Sequence, residues 1–135
     1  MSRSAIYVVN SNSQDVVADG VINLGTVVRR YGCNLHQVGN GIRVAGAGYY
    51  SLDASVTLTP AAAGTVSVTA YKDGVVIPGS TASATVAAAD TTVALPIVGV
   101  VRENCPCCDD ISTLTFVLSG GEATVTNIGV KVEKM

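Results

Sequence analysis

Charged side chains are scarce in this chain of 135 residues. Asp, Glu, Lys and Arg make up 13% of it, against about 25% in an average soluble domain, while 48% of the residues are apolar. The net charge is −2 and the basic residues are scattered, so the chain has no basic stripe for nucleic acid. A 13.7 kDa monomer exposes roughly 6,600 Å², a large surface for 8 basic and 10 acidic residues to cover. The composition therefore predicts an oligomer.

Catalytic groups are also few. There is one histidine, His36, and no serine lies in a Gly-x-Ser-x-Gly elbow, so a hydrolytic triad has no support. The pair Asp109-Asp110 precedes an apolar run. At such a position two aspartates more often form a turn than an acid–base pair or a Ca²⁺ site. The glycine pairs at 39–41 and 46–48 are not followed by a helix that could cradle phosphate. We expect no enzyme.

Long apolar runs are absent. No stretch reaches the roughly 18 residues of a membrane helix, and the first apolar run is too short for a secretory signal. We therefore expect synthesis and folding in a cytoplasm. Helical periodicity is nearly absent too, whereas short runs rich in Val, Thr and Ile are divided by turn residues, which indicates an all-β protein. The length predicts a single domain over residues 1–135.

Eight runs fit strands of a two-sheet sandwich: 5–9, 20–28, 41–45, 48–59, 64–71, 91–101, 111–118 and 123–133. In strand 48–59 apolar and polar residues alternate, so Tyr50 and Leu58 are predicted to face the core and Tyr49 to face outward. Asp73-Gly74 is a signal for a type I′ hairpin. The stretch 80–92, rich in Ala, Ser and Thr, favours a strand followed by a loop.

Two strands near the end of the chain are apolar at almost every position. These are "TTVALPIVGVV" (91–101) and "IGVKV" (128–132). Strands of this kind are covered on both faces, and in a two-layer sandwich the outer cover has to come from another subunit. This pattern is a second, independent indication of an oligomer.

Residues 41–58 carry a family resemblance. Ala47-Gly48-Tyr49-Tyr50 followed by Leu52 is similar to a strand entry in the jelly-roll domains of the tumour necrosis factor and complement globular-head superfamily. Segments 66–80, 109–118 and 122–135 resemble the later strands of those domains, so the resemblance covers about residues 40–135 well and the first 40 residues loosely. The chain departs from the family in having no collagen-like stem and only 4% aromatic residues.

The resemblance implies an antiparallel jelly-roll sandwich that forms a homotrimer. In such trimers the outer face of the inner sheet packs around the threefold axis. Because Tyr49 points away from the core, it is the candidate for the axial contact, with Thr115 or Val117 as companions. The alternative for Tyr49 is an ordinary exposed strand tyrosine.

The chain resembles bacterial and bacteriophage sequences of this superfamily, which are rich in Ala, Val and Thr and poor in aromatics. That implies a non-enzymatic virion component, a capsid decoration or head-fibre protein made in the cytoplasm of the bacterial host. Its partners would be further copies of itself and a capsid or other virion protein, with no nucleic acid, membrane or cofactor. The alternative is a bacterial surface or tail-tip module that recognises carbohydrate or protein of the host. That module would need a cleft with exposed aromatics and paired polar side chains.

The cysteines leave several possibilities open. Three of the four lie in "CPCC" as Cys105, Cys107 and Cys108. A bond between the last two would be strained, since neighbouring Cα atoms are about 3.8 Å apart and a disulfide needs about 4.4–6.8 Å. The cluster could join Cys33 and His36 in a zinc site, because thiolate and imidazole are the ligands that zinc prefers. A long-range disulfide to Cys33, disulfides between subunits, and reduced thiols are the other readings.

Overall fold

A computed structural model describes residues 4–89, 91–103 and 111–135. Those residues form eleven strands and no helix. The strands are β1 (Ala5–Asn10), β2 (Gln14–Val16), β3 (Thr26–Tyr31), β4 (Leu35–Val38), β5 (Gly41–Ala45), β6 (Gly48–Pro60), β7 (Gly64–Lys72), β8 (Val75–Val86), β9 (Val93–Glu103), β10 (Ile111–Ser119) and β11 (Ala123–Lys134). Across the described ranges there is no helix of the length and apolar character needed to cross a membrane.

The strands build two antiparallel sheets that face each other. The six-stranded sheet has the order β3-β1-β11-β6-β9, with β2 paired to β11 beyond the end of β1. The five-stranded sheet has the order β4-β5-β10-β7-β8. This is the all-β, two-sheet jelly-roll sandwich that the sequence predicts.

The core lies between the two sheets and is built by period-two alternation. On β6 the side chains of Tyr50, Leu52, Val56 and Leu58 are almost completely buried, as predicted from their spacing. Phe116 on β10 packs from the opposite sheet and is fully buried. Alternation therefore decides which face of each strand is left for contacts outside the chain.

The β7–β8 hairpin confirms the turn prediction. Asp73 and Gly74 both have positive φ, 51° and 82°, as a type I′ turn requires. The Asp73 carboxylate also accepts a hydrogen bond from the Thr113 amide at 2.9 Å, which ties the tip of the hairpin to β10.

A bulge in β8 interrupts the pairing of this hairpin and is closed by a buried serine, since residues 77–80 of β8 lie opposite the single residue Ala70 of β7. The register between β7 and β8 shifts around Ala70. The Ser80 hydroxyl accepts a hydrogen bond from the Ala70 amide at 3.3 Å and lies 2.6 Å from the Ile77 carbonyl oxygen and 3.1 Å from that of Ala70. Ser80 is fully buried. Its hydroxyl supplies hydrogen bonds to backbone groups that the bulge leaves without a partner on the neighbouring strand.

The predicted strand 20–28 is wrong in its first half. Only Thr26–Tyr31 forms a strand, while Ile22 and Leu24 are buried in an irregular segment. Gly25 ends that segment with φ of 82°, and a Cβ atom there would lie 2.3 Å from the carbonyl oxygen of Val9. A continuous strand cannot pass through this position because the backbone turns there.

The two ends of the described chain lie at one pole of the sandwich. Ala5 on β1 pairs with Glu133 on β11, and the Lys134 amide donates to the Ser4 carbonyl at 2.8 Å. The loops 61–63, 87–89 and 120–122 lie at the opposite pole, where Gly64 pairs with Val86.

Candidate interaction surfaces

The outer face of the six-stranded sheet carries three exposed tyrosines. Tyr49 is 51% exposed on β6, Tyr7 is 42% exposed on β1, and Tyr31 is 55% exposed on β3. The outward direction of Tyr49 confirms the alternation argument, since Tyr50 beside it is fully buried. The sequence analysis did not find Tyr7 and Tyr31. For Tyr7 the signal was available, because Tyr7 stands between the core residues Ile6 and Val8.

One edge of the same face carries exposed valines on β9. Val98 and Val100 are 59% and 57% exposed, and Pro96 precedes them on the same side of the strand. We call Pro96, Val98 and Val100 the valine strip. Both faces of this strand are apolar, and the outer face is open to solvent in a single chain, so its cover by another subunit stays a prediction.

The outer face of β11 is less apolar than that of β9, and its cover by another subunit stays a prediction. Its inner face holds the buried residues Ile128, Val130 and Val132, but its outer face presents Lys131, which is 53% exposed at the side chain. Lys131 Nζ lies 3.8 Å from the Asp53 carboxylate on β6. The Lys131–Asp53 pair therefore lies between the tyrosines on β1 and β3 and the valine strip on β9.

A groove adjoins the valine strip where the two sheets meet. It encloses about 490 Å³ and lies between β8 and β9. Its walls are mainly apolar side chains: Val75, Val76, Ile77, Pro78, Val100 and Val101. The valine strip and this groove form one continuous apolar edge of the molecule.

Charged groups fix one end of this groove. Lys72 Nζ donates to the Arg102 carbonyl at 2.8 Å and lies 3.5 Å from the Glu103 carboxylate, which is almost completely buried. The Arg102 guanidinium lies 5.6 Å from the centre of the Tyr49 ring, within the range of a cation–π contact. These contacts hold β9 against the β7–β8 hairpin and fix the position of Tyr49.

Tyr50 follows Tyr49 on β6, points to the opposite face of the strand and is fully buried in the core. Its hydroxyl donates toward the carbonyl oxygens of Gly46 at 2.9 Å and Ala45 at 3.2 Å. Burial, and then the nearby charge of Glu103, raise the pKa of the Tyr50 phenol. The residue is a neutral structural group at ordinary pH.

Thr115 and Val117 lie on the opposite sheet from Tyr49. Both are half-buried on the outer side of β10, and β10 belongs to the five-stranded sheet. The outer faces of the two sheets point in opposite directions, so one chain cannot present all three residues to a single axis. A subunit contact at any of the three remains a prediction.

Cys33 and His36 lie together beside an arginine. Cys33 is exposed, and His36 Nε2 lies 3.3 Å from the Cys33 carbonyl oxygen. Arg30 Nη1 lies 2.7 Å from His36 Nδ1. A guanidinium can only donate, so Nδ1 is the acceptor and the proton resides on Nε2. A role for His36 as a zinc ligand would require one of these contacts to break.

Cys105, Cys107 and Cys108 lie outside the described residues. Ile111 pairs with Ala45, whose carbonyl accepts a 2.7 Å hydrogen bond from the Asn34 side chain, next to Cys33. In the ranges that the structure does cover, no three metal-binding side chains cluster. The zinc and disulfide readings remain predictions.

The fold is a jelly-roll sandwich similar to those of solved tumour necrosis factor-like and complement domains. Murine APRIL is similar over 98% of this chain and 99% of its own, with 16% identity and a TM-score of 0.72. The globular domain of zebrafish complement 1qA is 7% identical, with a TM-score of 0.64 and 94% of each chain covered. The PRD1 vertex protein P5 is 15% identical, with a TM-score of 0.57, and covers 98% of this chain and 96% of its own.

These likenesses show the fold. No family model matches the sequence, and no curated protein does.

Proposed function

We propose that this protein is a non-enzymatic homotrimer that serves as a structural component of a bacteriophage virion, as a capsid decoration or head-fibre protein. It works by binding alone: copies associate through one sheet, and the remaining surface contacts the shell or the host. The observation that carries the proposal is the exposed apolar side chains on the outer face of the six-stranded sheet. Exposed valines and tyrosines in such a charge-poor chain favour a partner surface.

The two apolar regions of this face suggest how copies meet. Tyr7 and Tyr31 lie at the β1–β3 side, whereas the valine strip and its groove lie at the β9 side. Because the two regions differ, a contact of one with the other is heterologous, and heterologous contacts close into rings when the rotation permits. The resemblance to trimeric jelly rolls favours three copies, with Tyr49 between the two regions near the axis.

The virion assignment has separate support. One of the similar structures is a vertex protein, P5 of PRD1, and it matches almost the whole length of both chains. The sequence resemblance to bacteriophage members points the same way. A short domain dominated by sheet surfaces suits attachment to a larger shell.

Two measurements test the proposal. Light scattering on the purified protein should give about 41 kDa, three times 13.7 kDa. A stable species of 13.7 kDa at micromolar concentration would refute the trimer. For the virion role, mass spectrometry of purified particles from the source phage or prophage should find the protein in a fixed ratio to the major capsid protein. Its absence from intact particles would refute that role.

A further inference from the structure

A ladder of paired hydroxyl groups covers the outer face of the β7–β8 hairpin. Its members are Thr65, Ser67 and Thr69 on β7 and Thr85, Ser83 and Thr81 on β8, which we call the hydroxyl ladder. The oxygen atoms lie 2.8 Å apart in the first pair, 2.7 Å in the second and 2.9 Å in the third. Strand geometry places successive pairs about 6.8 Å apart.

The pairing leaves hydrogen-bonding capacity directed outward. Each hydroxyl has one donor and two acceptor positions, and a bond within a pair uses one donor and one acceptor. Each rung therefore keeps one free donor and three acceptor positions, which are open to solvent at Thr65–Thr85 and Ser67–Ser83, whereas in the third rung Thr81 is exposed and Thr69 is almost completely buried. Because the partners hold one another, the hydroxyl oxygens are fixed in position before a ligand arrives, and preorganised groups lose less entropy on binding.

The surroundings of the ladder restrict what it can bind. Neither β7 between residues 65 and 71 nor β8 between residues 81 and 85 contains a charged residue, and the neighbouring part of β10, residues 115–119, has none either. A charged ligand would find no counter-charge here. Tyr71 follows Thr69 on the same side of β7 and is half-buried, which offers an aromatic ring beside the hydroxyl groups.

We propose that the hydroxyl ladder, with Tyr71, is a binding site for a neutral polysaccharide chain. Repeated sugar hydroxyls match the repeated donors and acceptors of the rungs, and the tyrosine ring can stack on a sugar face. The inference rests on the proposed function in one respect. The ladder lies on the five-stranded sheet, so it stays accessible when the six-stranded sheet is turned toward other copies.

Native affinity electrophoresis tests this site on the intact chain. Gels contain dextran, galactomannan or hydroxyethylcellulose as neutral probes, or alginate as the anionic probe, and mobility is compared with a gel that holds no polysaccharide. We expect at least one neutral probe to retard the protein and alginate to leave it unaffected. Equal mobility in every neutral gel, or equal retardation by alginate, would overturn the site.

Variants separate binding from folding. Ser83→Arg puts a bulky charge on the middle rung and should abolish retardation, whereas Ser13→Arg, the same change at an exposed loop position off the ladder, should not. The isosteric double variant T69V/T81V should weaken binding about threefold to tenfold, since it removes one rung. Unchanged retardation in S83R or T69V/T81V would overturn the site.

The trimer is checked on the same samples. Light scattering reports the mass of each variant, so loss of the oligomer and loss of polysaccharide binding are observed independently. A trimer that no neutral probe retards would refute the ladder site alone. A monomer that is retarded would support the site and refute the trimer.

Discussion

Replacing the valine strip should separate the subunits while each subunit stays folded. The double variant V98K/V100E conserves the net charge, so overall repulsion does not change. Val98 faces Asp53 across the β6–β9 ladder, where the new lysine gains an opposite charge. The new glutamate at position 100 lies between that lysine and Arg102 on one side of β9. The isolated chain should therefore lose little stability, because both positions are open to solvent.

The magnitude follows from the exposure of the two side chains. Full burial of a valine side chain contributes about 1.5–3 kcal/mol, and somewhat more than half of each of these is available at 59% and 57% exposure. Two valines then contribute about 2–3 kcal/mol to each contact, or about 30- to 150-fold in its dissociation constant. Burying two new charges raises the cost further.

Light scattering over a concentration series is the assay. We expect the wild type near 41 kDa, three times 13.7 kDa, and V98K/V100E near 13.7 kDa at the same concentration. The matched control is V17E/V38K, which alters two valines that are 64% and 50% exposed but lie outside the valine strip. If V98K/V100E keeps the wild-type mass, or if the control dissociates equally, the interface is elsewhere.

Three further outcomes concern stability and are measured by urea unfolding. Ser80→Ala should lower the free energy of unfolding by about 1–3 kcal/mol, since the Ala70 amide opposite the bulge loses its partner; an unchanged midpoint would contradict that role. Burial raises the pKa of Tyr50 above the ordinary 10.0, so the folded state keeps a proton that the unfolded chain loses. Stability should therefore fall as pH rises past 10, and less steeply in Tyr50→Phe; parallel pH profiles would refute this. Gly120→Ala should cost about 2 kcal/mol or more, because its φ is 92° and a Cβ would lie 2.3 Å from a carbonyl oxygen. Gly39→Ala, with φ of 56° and open space around it, should cost about 1 kcal/mol, and an equal loss would contradict the clash.

The central strands were predictable because their apolar and polar residues alternate, and this alternation indicates which side chains are buried. Tyr50 to Leu58 on β6 have one face in the core and one outside, and the pattern gave the direction of Tyr49. The edge strands were harder to predict. β3 is exposed at every position and was predicted only in its first three residues, and β4, with four residues, offers too little apolar periodicity to be found.

The candidate surfaces were predictable only in part. The alternation of residues indicates that Tyr49 and Val117 both point away from the core. It does not indicate to which sheet each strand belongs. That depends on pairing between distant strands, such as β6 with β11 and β10 with β7. The hydroxyl ladder shows the same limit, since Thr69 and Thr81 become neighbours only through the register of the hairpin.

The pairing of β1 with β11 brings Ser4 and Lys134 into contact, which makes the molecule a natural scaffold for engineering. A short linker could join these ends, and new termini could be opened at Ala62 on the far pole with every strand pairing kept. A cargo fused beside Ser4 or Lys134 and one fused at position 62 would then project in opposite directions from the same sandwich.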